Sequence, residues 1–189
     1  MANTQQFITI LNDTATQSIP MFTGVDPTWT GVYFHAIVDS PGTTTSNNYI
    51  SVLNPSGSGK LAIALGFIAT NYATGTVTGA QSMKVFRTSA HSGGTDIAAA
   101  SVNRFLSAFP NPVAQVKVGN PTVTTTNGTN PMLGIAPALG GGAQAPETVA
   151  PTPGASFTFL PGEGIVFQVS AGSTNQLWNM QYIWAERPM

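Results

Sequence analysis

The sequence predicts an all-β protein, an antiparallel β-sandwich of the jelly-roll type with at most one short helix and long loops. Three observations support this class. Apolar and polar residues alternate in several runs, the runs are rich in β-branched and aromatic residues, and 20 Gly and 14 Pro separate them. A chain of 189 residues without Cys can bury about 70% of its unfolded surface. We therefore predict one domain spanning residues 1–189.

The first half of the chain contains three predicted strands, at residues 31–38, 61–69 and 82–88. Successive residues of a strand point to opposite faces, so each run divides into two sets. The predicted sets are Val32, Phe34, Ala36 and Val38 on one face of the first run; Leu61, Ile63, Leu65 and Phe67, opposite Ala62, Ala64 and Gly66, in the second; and Met83 and Val85, opposite Lys84 and Phe86, in the third.

Strand signals continue in the second half of the chain. Residues 113–118 (VAQVKV) form a short and equivocal candidate. The runs 156–160 and 164–170 flank Pro161-Gly162-Glu163, which predicts a hairpin. The final run has the clearest alternation, and its large residues are predicted to form much of the core: Trp178, Met180, Tyr182 and Trp184.

The remaining segments are less regular. Residues 97–109 are open to two interpretations, a short helix at the sandwich edge or a loop. We favour the helix because Ile97, Ser101, Phe105 and Phe109 share a stripe and Pro110 closes it. We also predict an N-terminal arm (about residues 1–16), an exposed turn at 39–48 and a long loop (about 119–155). That loop either binds something, orders against a neighbouring subunit, or is a Pro-rich linker.

The charge content restricts the function classes. Only 7% of the residues are charged and the net charge is −1, whereas about a quarter of an average domain is charged. Few ionisable groups are available for acid–base catalysis. The chain contains no basic stripe that could bind nucleic acid, and it contains no run of about 20 apolar residues that could form a membrane helix. We predict no cofactor, no metal and no catalytic residue. A near-neutral surface repels copies weakly, which favours assembly over a soluble monomer.

One glycine-rich segment, residues 54–60 (NPSGSGK), partly matches a phosphate-binding loop. That motif requires Gly at its first position and Ser or Thr after the Lys. Here the two positions hold Asn54 and Leu61, and the predicted strand that follows supplies no helix N-terminus for an anion. The segment is interpreted as a turn that enters a strand.

Other polar residues give weak catalytic signals. His35 and His91 are too few for a zinc site in a chain without Cys. Ser92, His91 and Asp96 lie in one predicted turn, and neighbours in sequence seldom orient as a triad. A glycosidase pair drawn from Asp26, Asp39, Glu147 and Glu163 is possible, but their spacing does not indicate it.

Three segments together resemble a known group of proteins. They are residues 54–68 (NPSGSGKLAIALGFI), 84–95 (KVFRTSAHSGGT) and 159–169 (FLPGEGIVFQV), the last followed by a Trp-bearing final strand. In this order they resemble virion structural proteins of tailed bacteriophages, over about residues 54–95 and 157–184. The resemblance implies a non-enzymatic β-sandwich, either a head decoration or cement protein or a tail component, with no catalytic residues to carry over.

We therefore expect a non-enzymatic virion structural protein, most specifically a capsid decoration protein. It is expected to bind the major capsid protein or other virion proteins, to form a homo-oligomer with a trimer as the first choice, and to assemble in the host cytoplasm. The arm at 2–16 and the loop at 119–155 are expected to reach the partner. The alternatives are a tail protein, a receptor- or carbohydrate-binding module and a hydrolase. The sugar-stacking candidates are Trp29, Tyr33, Tyr49 and Tyr72.

Overall fold

The computed structural model describes residues 6–12, 15–21, 31–41, 47–73, 82–135, 147–149, 157–170 and 175–189. Its strands in chain order are β1 Gln6–Asn12, β2 Ala15–Met21, β3 Gly31–Pro41, β4 Asn47–Asn54, β5 Lys60–Ala73, β6 Met83–Ser92, β7 Thr95–Ile97, β8 Asn103–Arg104, β9 Gln115–Val118, β10 Thr122–Thr125, β11 Leu133–Ile135, β12 Glu147–Val149, β13 Thr158–Phe159, β14 Glu163–Val169 and β15 Gln176–Pro188. The described residues include one 3-10 turn, Ala99–Ser101, and no α-helix. None of them forms a helix long and apolar enough to cross a bilayer.

The strands form two antiparallel sheets and a separate hairpin. The seven-stranded sheet has the order β10-β6-β14-β4-β9-β7, with β11 also on β6. The six-stranded sheet has the order β12-β5-β15-β3-β8, with β13 also on β5. Strands β1 and β2 pair only with each other among the described strands. The predicted all-β antiparallel sandwich is confirmed, and the jelly-roll order of its strands stays a prediction.

The seven-stranded sheet curls. Three strands separate β6 from β7 in the sheet order, yet only Gly93 and Gly94 join them along the chain. The two ends of the sheet must therefore approach each other. Gly94 permits the turn because its φ is +63°, and a Cβ there would lie 2.5 Å from the carbonyl oxygen of Val118.

The core lies between the two sheets and is rich in aromatic residues. The predicted core face of the final strand is confirmed, because Trp178, Met180, Tyr182 and Trp184 are each at most 1% exposed. Tyr182 stacks on Trp184 at 5.4 Å between ring centroids. Phe167 of β14 meets Tyr182 at 5.6 Å, so aromatic contacts join the sheets. The predicted strand at 82–88 is also confirmed, with Met83 and Val85 in the core.

The predicted division of β5 into two faces holds up to Leu65, but Phe67 was assigned to the wrong face. In β5 the small residues Ala62 and Ala64 face the core, while Leu65 packs in a second cluster with Ile183. The reason is volume, because the aromatic rings of β15 leave space only for methyl groups beside them. A bulge in the β5–β15 register then turns Phe67 inward. In β3 the fully buried Tyr33 enters the core, and the side chains of the predicted set Val32, Phe34, Ala36 and Val38 lie outside the described residues.

The hairpin predicted around Pro161-Gly162 was also wrong, although the turn is present. Glu163 N donates to Leu160 O at 2.9 Å, and Gly162 has φ +88°, as a type II turn requires. The strands on either side belong to different sheets, because β13 pairs with β5 and β14 pairs with β4 and β6. The turn is therefore a corner between the sheets.

The helix favoured for residues 97–109 was wrong as well. Ile97 pairs with Val116 in β7, and β8 pairs with Tyr33 and Phe34. Pairing with existing sheets satisfies the backbone of this segment, whereas an isolated helix of this length is marginal in water. The predicted strand at 113–118 is present as β9.

Segments predicted to be irregular contain short strands. The N-terminal arm forms much of the β1–β2 hairpin, and the 119–155 region contributes β10, β11 and β12. Residues 136–146 and 150–156 lie outside the described residues, as do 42–46 of the predicted turn at 39–48.

Candidate functional site: a serine–histidine cluster on the curled sheet

The glycine-rich segment at 54–60 is a structural turn between β4 and β5. Ser58 N donates to Pro55 O at 3.1 Å. The Asn54 side chain donates to the carbonyl oxygens of Lys60 and Phe159 at 2.8 and 3.1 Å. A strand follows the turn, as predicted, so the segment presents no helix N-terminus to a phosphate.

The most chemically varied cluster lies on the curled sheet, on the face turned away from the core. Strand register builds it, because Ser51 of β4 pairs with Lys117 of β9 and Lys117 pairs with Asp96 of β7. Gln115 lies two residues from Lys117, so it shares that face. The alternate residue Val116 points into the core. A hydroxyl, an ammonium, a carboxylate and an amide are thereby brought side by side.

His91, at the end of β6, completes this cluster. Its Nδ1 lies 3.0 Å from Ser51 Oγ, and its Nε2 lies 3.4 Å from Gln115 Oε1. Because an amide oxygen only accepts, Nε2 carries the proton, and Nδ1 of the neutral ring accepts from the Ser51 hydroxyl. This neutral tautomer satisfies both contacts at once.

The surroundings of His91 favour the neutral imidazole. Burial lowers the pKa of His91 below 6.5, and the Lys117 ammonium lowers it further. The hydrogen bond to Gln115 and the carboxylate of Asp96 act in the opposite direction and do not reverse the shift. The ring is therefore uncharged at neutral pH.

The cluster differs from a triad of Ser92, His91 and Asp96, which the sequence does not favour. Ser92 is exposed, and Asp96 forms an ion pair with Lys117. Ser51, the actual partner of His91, lies 40 residues away in sequence. Sequence reasoning missed it because β14 separates β4 from β6 in the sheet, and only the curl brings the two side chains together.

The Ser51–His91 hydrogen bond is the contact that a hydrolase needs between its nucleophile and its base, but a substrate cannot reach Ser51. Ser51 is 0% exposed, whereas a nucleophile must reach its substrate. The second ring nitrogen faces an amide rather than the carboxylate of a triad. An open groove of about 390 Å³ lies nearby, and it is lined by residues that include Asp96, Gln115 and Lys117 but neither Ser51 nor His91. The arrangement is suited to holding β6 over β4 and β9.

The carboxylates that the structure describes serve the fold. Glu163 pairs with Arg87 at 2.8 Å and accepts from Leu160 N at 2.9 Å. Of the four carboxylates considered for a glycosidase pair, the structure describes the side chain of Glu163. The side chains of Asp26, Asp39 and Glu147 lie outside the described residues.

Glu186 is a buried carboxylate that sequence reasoning missed. It is 1% exposed and accepts from Val113 N at 2.9 Å, from Ala114 N at 2.9 Å and from Trp184 Nε1 at 3.1 Å. These donors balance the cost of burying it. The sequence does contain a signal for this burial, because Glu186 continues the alternation of inward-facing residues in the final strand beyond Trp184.

Two of the sugar-stacking candidates are excluded by burial. Tyr33 and Tyr49 are 0% and 3% exposed. The side chains of Trp29, Tyr72 and His35 lie outside the described residues. Within the described part of the chain, no three His, Cys, Asp or Glu residues form a metal-binding group.

Comparison with known proteins gives no relative. No protein-family model matches the chain, and no curated protein and no solved structure matches it.

Proposed function

We propose that this chain is a non-enzymatic structural protein of a virus particle, most specifically a decoration protein on the capsid lattice of a tailed bacteriophage. The observation that carries the proposal is the use of its described ionisable groups. Arg87 pairs with Glu163, Lys117 pairs with Asp96, and Glu186 anchors the backbone at Val113. These groups hold strands together, and the hydroxyl of Ser51 is buried away from any substrate.

The proposed mechanism is repetition of modest contacts. A decoration protein is held at many equivalent positions, so weak contacts to the major capsid protein sum when copies are linked in a homo-oligomer. The β1–β2 hairpin supports this role, because among the described strands it pairs with neither main sheet. We assign the contacts with the lattice to the segment 2–16 and to the 119–155 region. The protein itself is proposed to be a jelly-roll trimer that assembles in the host cytoplasm.

Gradient-purified particles from the source culture test this function. Quantitative mass spectrometry should find the chain at a fixed ratio to the coat protein, and its absence would contradict the proposal. Deletion of residues 2–16 should reduce occupancy on stripped particles while the melting temperature of the sandwich is retained. Full occupancy by the deletion variant would remove the arm from the mechanism.

The groove beside the cluster supports a second candidate, a receptor- or carbohydrate-binding module. Asp96, Gln115 and Lys117 offer donors and acceptors around an open groove of about 390 Å³, which suits a small polyhydroxylated ligand. Binding on a glycan array that is lost with Gln115→Ala would support this function. Binding lost only with Trp29→Ala would place the sugar elsewhere.

A further inference from the structure

The strongly exposed large apolar side chains of the described residues lie at one end of the sandwich. They are Leu106, Val113, Leu160 and Met189, with 55%, 38%, 52% and 70% exposure. Strands β4 and β15 finish at this end, and β3, β5 and β14 begin there. Single exposed apolar residues are ordinary, but a group at one end indicates an interaction surface.

The corner turn holds Leu160 beside the start of β5. The Asn54 side chain donates to the carbonyl oxygens of both Lys60 and Phe159, at 2.8 and 3.1 Å. Phe159 pairs with Ala62 and directly precedes Leu160. An exposed leucine and a lysine therefore lie next to each other.

The end of β15 adds a second apolar residue and a second cation. Met189 N donates to Gly59 O at 3.1 Å, and Arg187 pairs with Leu61. These contacts place both residues beside the start of β5. We call the resulting group the Leu160 patch, and it consists of Lys60, Leu160, Arg187 and Met189.

The cations of the patch have no acidic partner. The ion pairs of the described residues join Arg87 to Glu163 and Lys117 to Asp96, so neither Lys60 nor Arg187 belongs to one. Within the same part of the chain, Arg187 Nε is buried without a hydrogen-bond partner. A guanidinium with an unused donor gains from a carboxylate that accepts from it.

The described carboxylates at this end are already engaged. Glu163 pairs with Arg87, and Glu186 is buried and accepts from Val113 N and Trp184 Nε1. The anions that would neutralise the patch must therefore come from a partner.

We propose that the Leu160 patch binds an acidic protein surface on the capsid lattice, in which an apolar side chain is flanked by Asp or Glu carboxylates. This inference rests on the proposed function and adds a third contact to those assigned to 2–16 and 119–155. Contact removes the exposed faces of Leu160 and Met189 from water, while the carboxylates meet Lys60 and Arg187.

The number of cations favours an acidic protein over other anionic partners. With Arg104, which donates to Phe109 O at 2.9 Å, the end presents three cations without an ion pair. Anionic bilayers are bound by clusters of about four to eight Lys or Arg. A second copy of the same end would oppose like charges.

Binding to stripped particles tests the contact. The double variant Lys60→Glu with Leu160→Asp should raise the concentration for half occupancy at least about tenfold, and high salt should weaken binding of the wild type. The matched control is Lys84→Glu, an exposed site on β6 that pairs with Gln168 towards the opposite end of β14, and it should bind as the wild type does. Thermal melting verifies that each variant is folded.

A zero-length cross-link tests the chemistry of the partner. A carbodiimide joins an ammonium group to a carboxyl group through an amide bond, and the reagent takes up the water that is lost. Mass spectrometry of the bound protein should find Lys60 joined to an Asp or Glu of the major capsid protein. Lys60→Arg retains the positive charge, so it should keep its occupancy and lose this cross-link.

Three results overturn the inference. They are equal occupancy by the wild type and the double variant, a bound protein whose Lys60 joins no carboxylate of the particle, and tighter binding to phosphatidylglycerol vesicles than to stripped particles. A wild type that leaves stripped particles bare contradicts the proposed function as well. Equal occupancy by the double variant contradicts the patch alone, so the two failures are distinguishable.

Discussion

The two sheets use different means to define their structure. The six-stranded sheet relies on shape, because the Trp, Met and Tyr side chains of β15 fill the core and β5 places alanines beside them. The seven-stranded sheet adds directed hydrogen bonds on its other face, where Ser51 is 0% exposed and His91 bridges Ser51 and Gln115.

This difference shows where specificity resides. A packed aromatic face accepts small rearrangements if its volume is kept. A buried polar face does not, because each unpaired donor or acceptor costs free energy. We therefore expect volume changes to cost most in the six-stranded sheet, and changes of protonation to act on the curled sheet.

Replacement of Trp184 should have the largest effect. Trp184→Ala removes a fully buried indole that stacks on Tyr182, and we expect a loss of about 3–5 kcal/mol in the free energy of unfolding. Urea unfolding measures it. The matched variant Trp184→Phe should lose less, because it keeps most of the ring and loses the donor to Glu186. An equal loss in both variants would show that the hydrogen bond dominates rather than the volume.

Replacement of Glu186 should rank second. Glu186→Ala leaves the buried backbone amides of Val113 and Ala114 without this acceptor, and a loss of about 3 kcal/mol is expected. Glu186→Gln retains a carbonyl oxygen for the same donors, so its loss should be about 1 kcal/mol. Urea unfolding of both variants checks this order. An unchanged free energy of unfolding in Glu186→Ala would show that Glu186 does not anchor the backbone at Val113 and Ala114.

Unbroken alternation made the final strand predictable. From Trp178 to Trp184 every second residue is so large and apolar that it is expected to be buried. The buried face could therefore be predicted without knowing the strand register or the partner strand. The inward face of β5 was not predictable, since both of its faces are apolar. The choice between them depends on the neighbouring rings of β15, and the bulge near Leu65 leaves no local signal.

The polar cluster was beyond sequence reasoning for a different reason. The sequence places His91 close to Ser92 and Asp96, yet its partner Ser51 belongs to a strand that is not adjacent to β6 in the sheet. Only the short Gly93-Gly94 connection reveals that the sheet curls, and interpreting it requires the strand order. Local patterns thus predict faces, while contacts across a curl depend on topology.

The ion pair of Arg87 with Glu163 should give a smaller effect, because it links neighbouring strands of the seven-stranded sheet at a partly exposed position. Arg87 also lies over the ring of Phe159, 5.1 Å from its centroid. Arg87→Met should cost about 1 kcal/mol. A double-mutant cycle with Glu163→Gln, measured by urea unfolding, should show a coupling that declines at high salt. A coupling unaffected by salt would mean that the contact is not electrostatic.

The pH dependence of the curled sheet gives the smallest expected effect. The pKa of His91 in the fold is below its value of 6.5 in the unfolded chain, so the unfolded state binds more protons between the two values. Stability from this group is therefore complete above pH 6.5 and is lost as the pH falls through the folded pKa. His91→Gln retains hydrogen-bonding groups without titrating, so its stability should fall less than that of the wild type between pH 7.5 and 5.5, roughly one unit either side of the usual pKa of His. Urea unfolding across this range measures the difference, with His35 common to both proteins. Parallel curves would mean that protonation of His91 costs the fold nothing.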